Sequence, residues 1–227
     1  MQRRVPSAAV LAAVLAAGAW LGGCAAVGNV KEPKYTVTLR DEPFEVREYA
    51  PRVVAETRVT GSWNDAGNEG FRRLAGYIFG KNKGRATLAM TAPVAQRRAD
   101  AAPVKLAMTA PVGQRPSGDD WIVTFTMPEG ETLATLPAPE DPRVVLREVP
   151  AARVAVVRFR GRWTPDHMDE HRAALARWLS ARGLSPARRD FSEAGTDTGT
   201  EVNRYDPPWI PWFLRRNEIW QPLAPKG

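Results

Sequence analysis

The chain has 227 residues, 44% of them hydrophobic and 25% charged, which is enough for a real core and unlike a disordered chain. One cysteine and two histidines exclude an intrachain disulfide framework and a zinc finger or ribbon. Thirty-two basic against 25 acidic residues give a formal charge of +7, which raises nucleic acid and membranes as partners without deciding between them.

Arg3 and Arg4 precede 26 uncharged residues, 5–30, dominated by Ala, Val and Leu. A basic start, an apolar run and small residues at its end read as a secretory signal. An N-terminal membrane span is the alternative, because the apolar run nearly matches a bilayer's thickness. Leu21-Gly22-Gly23-Cys24 resembles a bacterial lipobox, which implies cleavage before Cys24 and a diacylglycerol on its thiol. Residues 1–23 are then signal and 24–34 a lipidated linker, and loss of Arg3 and Arg4 lowers the charge from +7 to +5. The expected location is the cell envelope, facing the periplasm. Ala25 resembles the residue found in lipoproteins sent on to an outer membrane. Export argues against nucleic acid, and the basic residues are spread rather than striped.

From Tyr35 the pattern becomes alternating. Residues 35–39, 44–49 and 52–61 read as strands. Residues 64–79 place Phe71, Leu74, Ala75 and Ile78 at helical spacing, with Asn64 or Asp65 as N-cap and Gly80 past the end. Two copies of one heptapeptide follow, Leu88-Ala-Met-Thr-Ala-Pro-Val94 and Leu106-Ala-Met-Thr-Ala-Pro-Val112, spaced for paired strands. Pro93 and Pro111 belong at strand ends, edges or bulges, since proline donates nothing to a ladder. Residues 121–127 read as a strand and 133–142 as a proline-rich connection.

Residues 144–163 then repeat residues 44–63 at an offset of 100, with Arg47/Arg147, Glu48/Glu148, Ala55/Ala155, Gly61/Gly161 and Trp63/Trp163 all matching. A second helix is expected over 165–181. A period this long excludes a solenoid and reads as a duplicated α+β unit closing around one interior. Trp63 and Trp163 are expected to pack at equivalent strand-to-helix corners.

Together these segments resemble the SOUL haem-binding protein family. The resemblance rests on the doubled Met-Thr-Ala-Pro-Val, on Phe44-Glu-Val-Arg-Glu-Tyr49, on 121–128, on Phe159-Arg-Gly161 and on Tyr205-Asp-Pro-Pro-Trp209 with Arg215-Arg-Asn-Glu218. It covers 35–223, leaving 224–227 as a tail. It implies an α+β fold: a distorted antiparallel eight-stranded β-barrel from two pseudo-repeated halves, each with an α-helix packed outside. It also implies haem or another tetrapyrrole as ligand, bound without catalysis in an apolar cleft beside the first helix.

On that helix Phe71, Leu74 and Ile78 are the candidate apolar wall, or simply core. Arg72, Arg73, Lys81 and Lys83 are candidate partners for propionates, or a solvated face. Adjacent Arg72 and Arg73 point about 100° apart, so only one easily faces a cleft. His167 and His171 share a face of the second helix at i, i+4 spacing and are candidates for iron or another metal. Their acidic neighbours favour a solvated first turn. The tail segment around Trp209, Trp212 and Phe213 is expected to seal the barrel, the alternative being display to a membrane interface. No nucleophile–base set or phosphate-cradling loop is present. The expected function is a lipid-anchored, non-catalytic tetrapyrrole binder. The alternative is an envelope structural or protein-interaction module of the same fold that binds no haem.

Overall fold

Alternating residues build nine strands of one antiparallel sheet in the computed structural model, which describes residues 31–84, 103–187, 199–207 and 209–225. Cys24 with its lipobox-like sequence, the segment read as a signal and the first heptapeptide copy lie outside the described residues. The strands are β1 (Tyr35–Asp41), β2 (Phe44–Tyr49), β3 (Arg52–Val59), β4 (Val112–Ser117), β5 (Asp120–Thr126), β6 (Val144–Val149), β7 (Ala152–Arg160), β8 (Glu201–Arg204) and β9 (Arg216–Pro222). Helix α1 (Trp63–Ile78) follows β3, and α2 (Pro165–Ala181) follows β7.

The sheet runs β1-β2-β7-β9-β8-β4-β5-β3-β6. The two sequence copies exchange strands: β2 pairs with β7, and β6 with β3. Phe44 faces Val157, while Val144 faces Thr57, the same pairing shifted by 100 residues. Tyr49 and Ala152 likewise correspond to Val149 and Arg52. The eight strands expected become nine, because β1 adds to the free edge of β2. The result is a curled half-barrel whose edges are β1 and β6, one helix packed on each half.

Both helix starts follow from their caps. Ser62, still extended, accepts a hydrogen bond from the Asp65 N–H, and Thr164 does the same for His167. The N-cap of α1 is therefore Ser62 rather than Asn64 or Asp65, since Trp63 is already helical. Gly161, at φ +133°, makes the turn from β7 toward α2, a backbone conformation that a side chain disfavours. Trp63 and Trp163 meet across the corners with ring centroids 5.8 Å apart. At Gly70 a Cβ would lie 2.6 Å from Cβ of Val123, so this glycine sets how closely α1 approaches β5.

Each helix covers its own apolar cluster. Leu74, Tyr77 and Ile78 of α1 pack on Val53, Ala55, Val123 and Phe125. Met168, Leu175 and Leu179 of α2 pack on Val46, Ala155, Val157 and Ile219. The face of β2, β7 and β9 turned away from α2 sets a charged network beside the apolar cluster of Tyr49, Val154, Val156 and Trp220. There Glu218, with no exposed surface, accepts hydrogen bonds from Arg47 at 2.8 and 3.0 Å, from Tyr205 at 2.6 Å and from Trp220 at 2.8 Å. Arg47 is itself fully enclosed and also reaches Glu45.

Two expectations are corrected. The second heptapeptide forms no strand before Val112. Its Thr109 hydroxyl instead donates to the Thr126 carbonyl at the end of β5, and the Ala110–Pro111 bond is cis. The closing segment does not seal the barrel with its aromatics: Trp209, Trp212, Phe213 and Leu214 are all exposed. Pro211 leads into a 3₁₀ turn over Trp212–Leu214, which holds these side chains clear of the core. Sealing falls to β9, where Ile219 and Trp220 are buried.

Candidate functional site

Helical geometry divides α1 into three faces at 100° per residue. Gly70, Leu74, Tyr77 and Ile78 point to the sheet and are closed off from solvent. Phe71 and Phe79 are exposed, with partly buried Ala75 between them, forming a row at i, i+4 and i+8. Beside this row, across Arg72, lies a cleft of about 180 Å³ lined by Arg72, Arg73, Gly76, Lys81, Asp141 and Arg143.

The cleft exists because the chain returns to the end of α1. The Tyr77 hydroxyl donates to the Pro137 carbonyl at 2.9 Å, Lys83 N–H to Ala138 and Glu140 N–H to Lys81. This brings the proline-rich connection against the helix exit and sets Asp141 and Arg143 opposite Arg73. Asn82, buried, fastens the exit by donating to the carbonyls of Tyr77 and Val104.

Most charges in the cleft are already paired. Glu69 accepts from Arg72 and Arg73, and Arg73 also donates to the Arg58 carbonyl. Asp141 takes a bidentate pair from Arg143, whose hydrogen bonds outweigh desolvation and hold its carboxyl at about 2. Lys81 differs. Its stem lies over Gly76, and among the described residues its ammonium has no ion-pair partner.

Of the residues expected at a ligand wall, Phe71 is 40% exposed with its ring edge against Phe125, whereas Leu74 and Ile78 are core. Arg72 and Arg73 both border the cleft, Arg72 outward and Arg73 folded inward. Sequence reasoning missed Phe79, Asp141 and Arg143. Phe79 was legible as i+8 from Phe71, but nothing local in Asp141-Pro-Arg143 announces its return to α1.

His167 and His171 lie elsewhere, on α2. Their Nε2 atoms are 3.2 Å apart, His167 Nδ1 meets the Arg162 carbonyl, and His171 stacks on Phe159 at 4.1 Å. The described residues contain no group of three or more potential metal-holding side chains. Burial, then His167, pull the His171 imidazole below its ordinary value of 6.5, against Glu170. The unfolded chain therefore binds more protons as pH falls through 6.5, and folding stability drops there. Melting between about pH 7.5 and about pH 5.5 is expected to fall less for His171→Gln than for the parent chain. Equal falls would remove this imidazole as the cause.

The first helix of this α+β half-barrel thus carries an exposed aromatic row beside a cation-lined cleft. The sequence profile described as SOUL heme-binding protein matches residues 30–222, and the chain belongs to this family. No curated protein sequence matches it. Among solved structures it is similar to the EcmrR C-terminal domain, at 11% identity and TM-score 0.49, covering 84% of this chain and 98% of that one. It is also similar to a hydrolase from Listeria innocua (10%, TM-score 0.48, covering 87% and 94%). A third likeness is SAV2435 bound to tetraphenylphosphonium (9%, TM-score 0.40, covering 80% and 93%). Likenesses this distant assign no activity or ligand.

Proposed function

We propose that this protein binds haem or a related tetrapyrrole on the surface of α1, without catalysis, as a lipid-anchored protein of the cell envelope. The observation that carries the reading is the adjacency of the Phe71–Ala75–Phe79 row to the cleft holding Lys81. A macrocycle needs a flat apolar support, which the row supplies, and its propionates need cations at the rim. Lys81 and Arg72 stand at that rim. The cleft, at about 180 Å³, is smaller than the roughly 300–1,000 Å³ that encloses a ligand of drug size. It therefore suits capture of an anionic edge while the ring lies across the helix. Envelope location and the anchor at Cys24 rest on the uncharged run and lipobox-like sequence.

The test is titration of the protein with haemin, following the Soret band and tryptophan quenching. Saturation near one equivalent is expected. Phe71→Ala and Lys81→Glu are each expected to weaken binding about tenfold, the loss of one aromatic support or one charged contact. His171→Ala is expected to leave the Soret band unshifted, since it lies on the other helix. Quenching no greater than with an unrelated basic protein would favour the haem-free interaction module instead. Replacing Cys24 by Ser is expected to abolish labelling by radioactive palmitate.

A further inference from the structure

We infer that the loop carrying Trp209, Trp212, Phe213 and Leu214 is a docking face for an anionic lipid bilayer, orienting the domain on the membrane that holds it. This rests on the anchored reading above and adds to it which side of the domain faces the lipid.

Trp209 is 77% exposed, and with Trp212, Phe213 and Leu214 it forms the densest group of exposed large apolar side chains among the described residues. Asp206, Pro207 and Pro211 fix the loop, with Arg216 N–H donating to Asp206 and Arg215 Nε to the Ile210 carbonyl at 2.7 Å. The apolar side chains are thus displayed on a braced loop. Tryptophan in particular favours the boundary between headgroups and acyl chains, where an apolar ring and a polar N–H are both accommodated.

The flanking charges match an anionic surface. Arg162 lies over the Trp212 ring at 4.8 Å, and Arg160 donates to the Leu214 carbonyl at 3.2 Å. Both come from the end of β7 and its corner, so they flank the loop from one side. Asp206 and Glu32 are the opposing acids, each engaged by Arg216. Arginine beside exposed tryptophan gains from anionic headgroups, an attraction that salt screens.

The entry of the chain points to the same side. Glu32 takes a bidentate pair from Arg216, two residues after Leu214, so the described domain begins beside this loop. From Cys24 to Glu32 is eight residues, which reach at most roughly 30 Å when extended. An anchor at Cys24 holds the domain within that distance of the lipid, close enough for the loop to touch it.

The experiment uses the full chain reconstituted into vesicles of phosphatidylcholine brominated in its acyl chains, with and without phosphatidylglycerol. Flotation reports the anchor, and tryptophan quenching by bromine reports the loop. The parent chain is expected to be quenched more than Trp209→Phe/Trp212→Phe, and the excess is expected to shrink without phosphatidylglycerol or in high salt. Cleavage before Cys24 removes Trp20 from both anchored proteins, so it does not distinguish them. Equal quenching of the two floating chains overturns the docking face while leaving the anchor intact. A parent chain that fails to float overturns the anchor, and the oriented docking with it. An excess independent of phosphatidylglycerol and salt, accompanied by concentration-dependent dimers, assigns the loop to a second copy of this chain and also overturns the proposal.

Discussion

Glu218→Ala is expected to destabilise folding by about 3–5 kcal/mol, measured by denaturant unfolding, because it strands a buried arginine. Arg47 has no exposed surface, and its guanidinium spends two hydrogen bonds on the Glu218 carboxylate. Glu45, also buried, compensates only part of that charge. Tyr205 and Trp220 lose their acceptor in the same substitution. A loss below about 1 kcal/mol would place this network in the range of surface ion pairs and refute its structural role. Joint replacement of Arg47 and Glu218 by apolar residues is expected to be milder than either single change, since neither partner is left stranded and Glu45 keeps Arg40 and Arg158.

The same carboxylate predicts an acid transition. Burial pushes the Glu218 carboxyl upward, but hydrogen bonds and charge from Arg47, then Arg216, more than reverse this and hold it at about 2. Its ordinary value is 4.5, so the folded state keeps this proton off while the unfolded chain takes it up. The stabilisation is full above pH 4.5 and is lost as pH falls toward 2. Glu218→Gln is expected to remove most of that pH dependence.

Leu74→Ala is the second large effect, with about 2–5 kcal/mol of stability lost, since a fully buried leucine leaves a cavity under α1. Phe71→Ala, one turn away and part exposed, is expected to cost far less stability while weakening haemin binding. The pair therefore separates support of the fold from contact with ligand. If Leu74→Ala folds as stably as the parent chain, the packing of α1 on Val123 and Phe125 is wrong.

The division between these two residues marks where sequence reading stops. Periodicity places Phe71, Leu74 and Ile78 on related positions of α1, yet an apolar stripe has the same pattern whether it meets a sheet or a ligand. Only the position of β5 decides. Val123 and Phe125 take Leu74 and Ile78, and Gly70 lets the helix close in, which turns Phe71 outward beside Phe79. Arg143 and Asp141 join the site through backbone hydrogen bonds between the proline-rich connection and the helix exit, contacts that leave no periodic trace. The exposed loop at Trp209 is a further case: aromatic and proline content states that the segment is stiff and apolar, but not which way it faces.

What the sequence by itself determined is the local and the repeated: strand alternation, the helix over 165–181, the resemblance to the SOUL family and the 100-residue offset. These depend on backbone period and on residue identity at fixed spacing, which a single chain displays openly. Tertiary structure decided the place of β1 at the sheet edge, the exchange of strands between the two copies, the enclosure of Arg47 with Glu218 and the outward face of α1. Each depends on contacts between residues far apart in the chain, where burial and charge pairing act and spacing is silent. The charge in that composition is likewise apportioned only by placement. Some of its arginines are locked inside the fold, while Arg160 and Arg162 flank the exposed aromatic loop.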